Sequence, residues 1–277
     1  MENSCRKNLK QSSKKWVIAS CYPKFRRNSC LRSTNADLYH YAGNNPVRYI
    51  DPDGRSPNLS YVGTVNDFLA FMYTIKTGIA STRGNSASDA MLRMGKITIS
   101  SFKPMPANTA PFNKAKGRYI YTQKGGWIDM AHFMFYAGRA YTHKKSKEYA
   151  QKIIKKWYFF LFSIDTKMLY ISQAKQDPVE SAISEGHLQE RLDSVFAPHS
   201  AYSYEDLPTD RFGADFGANY FDPNSPLDFG TQIQNYLLNE LGATDPNNAP
   251  NYSSLPSNEP EHCPPAKNKT IVPMYIE

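Results

Sequence analysis

The chain has 277 residues, of which 40% are hydrophobic, and this composition is typical of a folded globular protein rather than a disordered one. The longest apolar run covers residues 157–164 and is interrupted by Ser163. A transmembrane helix needs roughly 20 such residues, so we predict no membrane span. The apolar stretch near the N-terminus is too short for a signal-peptide core, so we predict no signal peptide in this chain.

The formal net charge of +8 is unevenly distributed. Residues 1–50 hold 10 Lys and Arg against 2 Asp and Glu, whereas residues 51–277 hold 23 of each. The net charge of the longer part is therefore zero, which gives nucleic-acid binding no support and leaves it uncertain. Within that part, residues 101–167 carry 13 basic and 3 acidic residues, and residues 168–277 carry 5 and 16. We expect this basic block and this acidic block to attract each other within one fold.

The four cysteines are Cys5, Cys21, Cys30 and Cys263. None of them forms a C-x-x-C pair, and the stretch between the last two contains no further cysteine. This spacing excludes a zinc knuckle and a disulfide framework. The sequence identifies no cofactor, so that question stays open.

Residues 1–35 mix Lys and Arg clusters with Ser and Asn, and we expect an irregular basic segment there. Two explanations are open: a truncated or frame-shifted gene start, or a basic arm for an anionic partner. Residues 39–54 read Y-H-Y-A-G-N-N-P-V-R-Y-I-D-P-D-G. Strand-forming Tyr, Val and Ile are followed twice by turn-forming Gly, Asn, Pro and Asp, which predicts two short strands with a tight turn after each.

The string from Tyr39 to Gly54 closely resembles the signature that ends the core of Rhs (YD-repeat) proteins, Y-x-Y-x-x-N-N-P-x-x-x-x-D-P-x-G. In that family a large β cage precedes the signature, and a variable C-terminal domain, often a toxin, follows it. The resemblance implies that residues 36–56 are the end of an Rhs core and that an effector domain follows. It also implies secretion or delivery to a target cell as part of a larger Rhs protein, with a cognate immunity protein as partner.

Helix-start and helix-stop signals predict one mainly helical domain over residues 57–242 and an extended tail rich in Pro and Asn over residues 243–277. The expected fold class is mainly α, as an α+β fold with a small two-stranded sheet. The predicted helices cover residues 67–77, 86–94, 129–141, 147–162, 178–196 and 210–220, with a last helix between Ser225 and Gly242. The predicted strands cover residues 97–102 and 118–122.

Individual residues predict how these helices begin and pack. Asn66, Thr209 and Ser225 are the predicted caps of the first helix, the helix over 210–220 and the last helix. Pro178 is expected as the first residue of its helix. Gly213 and Gly217 lie four residues apart, which favours close helix packing over a phosphate-binding loop.

The first candidate site is the segment G-G-W-I-D-M-A-H-F. Asp129 falls in the first turn of a predicted helix, where the helix dipole favours a carboxylate, and His132 follows on the same face. A carboxylate can fix the tautomer of an imidazole and raise its basicity, so the pair could act in catalysis. The pair could equally supply metal ligands, or Asp129 could cap the helix while His132 is a hydrogen-bonded core residue. Tyr136 and Arg139 extend the same face and are candidates for substrate binding.

The second candidate site is the segment S-A-Y-S-Y-E-D-L-P-T-D. Glu205 and Asp206 are adjacent carboxylates beside two tyrosines and a proline turn, and they could complete a site with His132 as acid, orienting group or metal ligand. If a metal is bound, we expect Asp129, His132 and Glu205 as its ligands. Tyr204 is a further candidate for substrate binding. The alternative is a solvated acidic turn.

Taken together, a G-x-x-D-x-x-H segment, a Y-E-D-L-P segment and a small-residue helix resemble the C-terminal domains of some Rhs proteins. They also resemble certain exported bacterial proteins, over roughly residues 120–255. The resemblance implies a shared domain with His132 and Glu205 among its shared positions. It implies no particular substrate.

Three functions remain in competition. The leading expectation is the effector domain of an Rhs-type polymorphic toxin, acting as a hydrolase of unknown substrate. Its expected catalytic groups are His132, Asp129, Glu205 and Asp206, in one shared site. The second is a nuclease toxin that uses the basic block around His132, Arg139 and His143. The third is a non-catalytic, truncated Rhs remnant.

Overall fold

The computed structural model describes residues 57–74, 78–98, 103–106, 112, 116–196, 201–257 and 266–276. The predictions for residues 1–35 and 36–56, including the Rhs-like signature, lie outside the described residues. Residues 47–277 group into one compact unit. The described part of this unit is mainly helical with a small sheet, which confirms the predicted fold class. Within the described ranges, no helix is long and apolar enough to cross a membrane.

Seven α-helices and five short strands make up the described ranges. The helices are α1 (Val65–Thr74), α2 (Gly84–Met94), α3 (Met130–Ile154), α4 (Ile164–Lys175), α5 (Pro178–Phe196), α6 (Asp206–Asp215) and α7 (Phe229–Asn235). The strands are β1 (Val62–Gly63), β2 (Ile97–Thr98), β3 (Lys103–Pro104), β4 (Tyr119–Thr122) and β5 (Gly126–Asp129). A 3-10 turn over Trp157–Leu161 follows α3, and π-helical turns over Phe216–Tyr220 and Tyr236–Glu240 extend α6 and α7.

The main sheet has three strands rather than the predicted two, and of the two predicted strands it contains only the one over residues 118–122. β4 lies in the centre, β1 pairs with it in parallel and β5 pairs with it in an antiparallel hairpin. A separate pair joins β2 and β3. The hairpin turn needs glycine, because Gly126 has a φ of 63° and a Cβ there would lie 2.3 Å from the Met274 carbonyl oxygen. The strand β5 was not predicted, since its four residues run directly into a helix and are too few to show a period.

Two helix starts differ from the prediction because a neighbouring side chain makes the better cap. The cap of α1 is Thr64, whose hydroxyl accepts from the Asp67 N–H while the Asp67 carboxylate accepts from the Thr64 N–H, a reciprocal capping box. The cap of α7 is Asp228, which accepts from the Thr231 N–H. Asn66 and Ser225 are therefore not the caps of these helices. By contrast, Pro178 begins α5 as predicted.

The predicted helix boundaries in the centre of the chain were wrong. The two helices predicted over residues 129–141 and 147–162 are one helix, α3, because no Pro or Gly interrupts the residues between them. After Ile154 the chain forms the 3-10 turn, and α4 then follows without having been predicted. The helix α6 begins at Asp206, so Thr209 lies inside it rather than capping a helix over 210–220.

The helix α3 passes through the middle of the fold, and α6 packs against it closely. Phe133, Met134 and Ala137 on α3 are fully buried. A Cβ at Gly213 would lie 2.3 Å from the carbonyl oxygen of Phe133, and one at Gly217 would lie 2.0 Å from that of Ala137. These contacts confirm that the two glycines serve close helix packing. They also fix the register between α3 and α6.

The tail after residue 242 packs onto the helical domain. The Trp127 indole N–H donates to Asn251 Oδ1 at 2.8 Å, and the Tyr121 hydroxyl donates to the Tyr275 carbonyl at 3.1 Å. The Leu59 N–H donates to the Pro256 carbonyl at 3.0 Å. Apart from 3-10 turns over Pro246–Asn248 and Tyr252–Ser254, the described tail lacks helices. The other described residues of the tail form turns and irregular segments, and the tail covers the β4–β5 hairpin.

Candidate functional site

The site lies where α3, α5 and α6 meet under the loop of residues 201–205. The first turns of α3 place His132, Tyr136 and Arg139 on one face, since residues four and seven apart lie close together around a helix. The helix α6 brings Asp206 and Asp210 opposite this face. The third wall is α5, which packs against both α3 and α6.

The imidazole of His132 lies between two buried carboxylates of α6. Its Nδ1 is 3.0 Å from Asp210 Oδ1, a hydrogen-bond distance, and its Nε2 is 3.8 Å from Asp206 Oδ1. The imidazole side chain is 14% exposed, whereas the two carboxylates are almost fully buried. The contact with Asp210 orients the ring, and a carboxylate there favours an Nδ1–H tautomer. The structure therefore brings together His132 and Asp206, as the sequence predicted, and adds Asp210.

Glu205 precedes α6 and is buried beside this pair. One carboxylate oxygen accepts from the Ser203 hydroxyl at 2.8 Å, while the other is buried without a hydrogen-bond partner. Burial raises the pKa of Glu205 to about 8, and the charge of Asp129 adds to the effect, although Ser203 and His132 oppose it. Glu205 is thus a carboxylic acid that holds its proton near neutral pH. A group of this kind can donate a proton in general acid catalysis.

Glu190 of α5 was missed by sequence reasoning. Its carboxylate is buried and accepts from the backbone N–H of Tyr202, a residue with a φ of 60°. Burial raises the pKa of Glu190 to about 8, the charges of Asp210 and Asp193 contribute, and His132 opposes the shift. The only sequence signal was the acidic character of this helix, which does not distinguish a surface carboxylate from a buried one.

Lys267 was also missed, because it lies in the predicted tail. Its ammonium group donates to the Ala201 carbonyl, and the charges of Glu190 and Asp206 act on it. Partial burial lowers the pKa of Lys267 below its usual value. The adjacent Asn268 donates its backbone N–H to the Tyr202 carbonyl at 2.9 Å. The tail therefore holds the loop that carries Glu205 and supplies a cation to an acidic site.

Asp129 anchors the start of α3. Its carboxylate accepts from the Arg118 guanidinium at 2.7 Å, in an ion pair with side chains 2% and 1% exposed, and from the Ala131 N–H at 2.7 Å. The Asp129 N–H donates to the Thr209 hydroxyl of α6 at 3.3 Å. Asp129 thus caps the helix, the structural alternative that the sequence left open for it. These contacts fix the position of His132 one turn later.

The two tyrosines predicted to bind substrate are packed inside the protein. Tyr136 is 3% exposed and Tyr204 is 6% exposed. Tyr136 lies near Gly186 of α5. A Cβ at Gly186 would lie 2.5 Å from Asp210 Oδ2, so α5 passes close to this carboxylate. Tyr204 packs edge-on against Tyr275 of the tail, with ring centroids 5.0 Å apart. The Tyr136 ring lies beside His132, with ring centroids 6.3 Å apart, whereas the Tyr204 ring packs in the cluster around Trp127.

Arg139 and His143 form a second, partly buried cluster with Glu185 of α5. Arg139 makes two contacts with the Glu185 carboxylate, at 2.6 and 2.7 Å, and His143 Nε2 lies 2.8 Å from the same group. Burial opposes ionisation of Glu185, but the hydrogen bonds from Arg139 and His143 bring its pKa below the usual value. Both basic residues of the nuclease alternative are thus bound to a buried carboxylate.

The expected metal ligands do not form a metal-binding group. Asp129, His132 and Glu205 all lie in the described part of the chain, where no group of three or more His, Cys, Asp or Glu side chains is placed to hold a metal ion. The chemistry that the arrangement offers is proton transfer. An oriented imidazole lies beside buried carboxyl groups, and burial raises the pKa of one of them, Glu205, to about 8.

No protein-family model matches this chain, and no curated protein or solved structure is significantly similar to it.

Proposed function

We propose that this chain is the C-terminal effector of an Rhs-type polymorphic toxin, and that its helical domain is a hydrolase acting by general acid–base catalysis. The observation that carries the hydrolase proposal is the position of His132, with Nδ1 on the buried Asp210 and Nε2 facing Asp206. The assignment to toxins is supported by the likeness of residues 39–54 to the Rhs signature. In this proposal the effector is delivered to a target cell and is neutralised by an immunity protein.

Each group receives one role. His132 is the general base, which takes a proton from water at Nε2 while the water oxygen attacks the substrate. Asp210 orients the ring and stabilises the imidazolium that forms. Glu205, which carries a proton near neutral pH, donates it to the leaving group. Asp206, 3.8 Å from Nε2, stabilises the positive charge of the ring after Nε2 accepts the proton, and Asp129 is a positioning residue at the start of α3.

The nuclease alternative receives less support from the geometry. A nuclease needs cations that can neutralise phosphate near the catalytic His. Arg139 and His143 instead contact Glu185, and the surroundings of His132 are rich in carboxylates. An inert remnant is disfavoured by the buried, oriented polar groups, since burying them is costly unless each is compensated.

Expression in a susceptible bacterium tests the proposal. We expect the unmodified chain to inhibit growth and His132→Ala to abolish this effect, with a melting temperature close to that of the parent. His187→Ala is the matched control, because His187 is a half-buried histidine of α5 with no role in the proposal. A folded His132→Ala protein that still kills would refute the mechanism.

Thermal stability separates the catalytic role from a purely structural one. If His132 is only a hydrogen-bonded core residue, its removal should cost about 1–3 kcal/mol of unfolding free energy and should affect growth only through lost folded protein. If the unmodified chain is not toxic, the inert remnant becomes the better account.

A further inference from the structure

A helical hairpin extends from the domain at the C-terminal end of α3. The hairpin comprises residues 144–176, which are the second half of α3, the 3-10 turn and α4. The main packing partner of α4 is α3. None of the residues of α4, all of which the structure describes, is buried. The hairpin therefore contributes little to the core of the domain.

The outer surface of the hairpin is apolar. Leu161 is 66% exposed, and Ile164, Met168 and Ile171 form a stripe on α4 at helical spacing, with exposures of 75%, 64% and 40%. Phe160 is 64% exposed beside this stripe. Single exposed apolar residues are common on protein surfaces, but a continuous group of this kind marks an interaction site.

Aromatic packing inside the hairpin is separate from this outer stripe. Tyr170 stacks on Phe162 with ring centroids 5.8 Å apart, and it also approaches Tyr149 and Phe159. The Ser163 hydroxyl caps α4 by accepting from the Thr166 N–H at 3.2 Å. The hairpin thus has its own internal contacts, and its outer apolar side chains can be changed without removing them.

The same hairpin is strongly basic. Residues 144–176 contain eight lysines against Glu148 and Asp165, a net charge of +6. Lys152, Lys155 and Lys156 are exposed just before the apolar turn. An exposed apolar stripe beside flexible lysines matches the interface of an anionic bilayer, where side chains such as Leu, Ile and Phe enter the headgroup boundary and lysines contact the phosphates.

We propose that this hairpin docks the protein onto the surface of an anionic lipid bilayer, with Leu161, Ile164 and Met168 inserted at the headgroup boundary. The apolar groups lie on the outer side of a projecting turn, and the charge around them complements anionic headgroups. Docking at the surface requires no membrane-spanning helix. The inference does not depend on the proposed hydrolase activity.

Binding of the full chain to lipid vesicles tests this proposal. We expect the protein to co-sediment with vesicles of phosphatidylcholine and phosphatidylglycerol at low salt, and much less with phosphatidylcholine alone. Leu161→Ser/Ile164→Ser/Met168→Ser should weaken binding about tenfold or more, because three apolar insertions are lost. Lys152→Gln/Lys155→Gln/Lys156→Gln should weaken it and reduce its salt dependence.

The control is Leu59→Ser/Leu227→Ser/Leu238→Ser, which changes three exposed leucines outside the hairpin and should bind like the parent. All variants keep the basic residues 1–50, so any binding by that segment remains constant. The proposal is overturned if the parent does not bind anionic vesicles, or if the triple variant of the hairpin binds as well as the parent. It is equally overturned if the apolar stripe instead mediates a dimer. In that case the parent elutes from gel filtration with the mass of a dimer, and the triple variant of the hairpin elutes with the mass of a monomer.

Discussion

At the scale of single residues, the site compensates its buried carboxylates in different ways. Asp129 is paired with Arg118, and Asp210 is bound to His132. Burial raises the pKa of Glu190 and that of Glu205 to about 8. The site thus holds carboxyl groups in different environments, an arrangement that acid–base catalysis uses.

The first prediction concerns the buried pair of Arg118 and Asp129. Arg118→Met should lower the unfolding free energy by about 3–5 kcal/mol, because Asp129 is then buried without its counter-charge. Arg118→Met/Asp129→Asn should recover most of this loss, since Asn carries no charge and can still cap α3. Urea denaturation measures both variants. If Arg118→Met alone lowered the unfolding free energy by less than about 1 kcal/mol, the ion pair would behave like a solvent-exposed one.

At the scale of elements, the site depends on how closely α6 approaches α3. Gly213 and Gly217 lie against the α3 backbone, and Asp206 and Asp210 occupy the preceding turns of the same helix. A change in the distance between the helices would therefore move both carboxylates relative to His132.

The second prediction follows from that contact. Gly217→Ala should cost about 1–3 kcal/mol, because its Cβ would overlap the Ala137 carbonyl and force the helices apart. Toxicity should fall as well, since the contact between His132 and Asp210 spans the same two helices. Asn219→Ala, at an exposed position two residues later, is the control and should change neither property. An unchanged melting temperature for Gly217→Ala would contradict the packing described here.

The third prediction concerns the C-terminal segment. Removing residues 266–277 should lower stability by about 2 kcal/mol, because the contacts of Lys267 and Asn268 with the loop are each worth about 1 kcal/mol. It should also reduce toxicity, since the loop carries Glu205. Thermal melts and growth assays measure these effects. Val272→Ser is the control, as Val272 is 61% exposed, and equal stability of the shortened chain would show that the segment does not hold the loop.

At the scale of the whole molecule, the basic and acidic blocks meet at the site. His132, Arg139 and His143 come from the basic block, and their partners Asp210 and Glu185 come from the acidic block. The attraction expected from the sequence is thus present as specific contacts between partly buried basic side chains and buried carboxylates. The acidic block nevertheless places more carboxylates there than the basic block can neutralise.

The fourth prediction is that the protein loses stability as the pH rises from about 5 to about 8. Glu190 and Glu205 have a pKa of about 8 when folded, above the reference value of 4.5. Between these values the folded state holds protons that the unfolded state has released, so the free energy of unfolding falls as the pH rises. Glu205→Gln should remove about half of this fall, because Gln stays neutral.

Urea denaturation at several pH values within this window measures the slope. Glu180→Gln, at an exposed position of α5, is the control and should leave the slope unchanged. A stability that is constant or rises over the window would mean that Glu190 and Glu205 are ionised in the folded protein.

Much of the fold was accessible from the sequence because helix signals are local. Pro178 marked the start of α5, and the spacing of Gly213 and Gly217 marked close packing. Errors arose where a local signal was weak or ambiguous. Two polar residues within three positions of each other could each cap a helix, and β5 was too short to show a period. The strand β1 was missed for a similar reason, since its two residues become a strand only by pairing with β4.

The sequence by itself determined that this chain is mainly helical, that its charge is divided into opposing blocks, and that His132 and Asp206 are candidates for one site. Only the tertiary structure decided their partners. Asp210, Glu190 and Lys267 reach the site through the packing of α5, α6 and the tail, so no local pattern connects them to His132. The same holds for the proton on Glu205, because a carboxyl group retains it through burial, and burial is a property of the packed molecule.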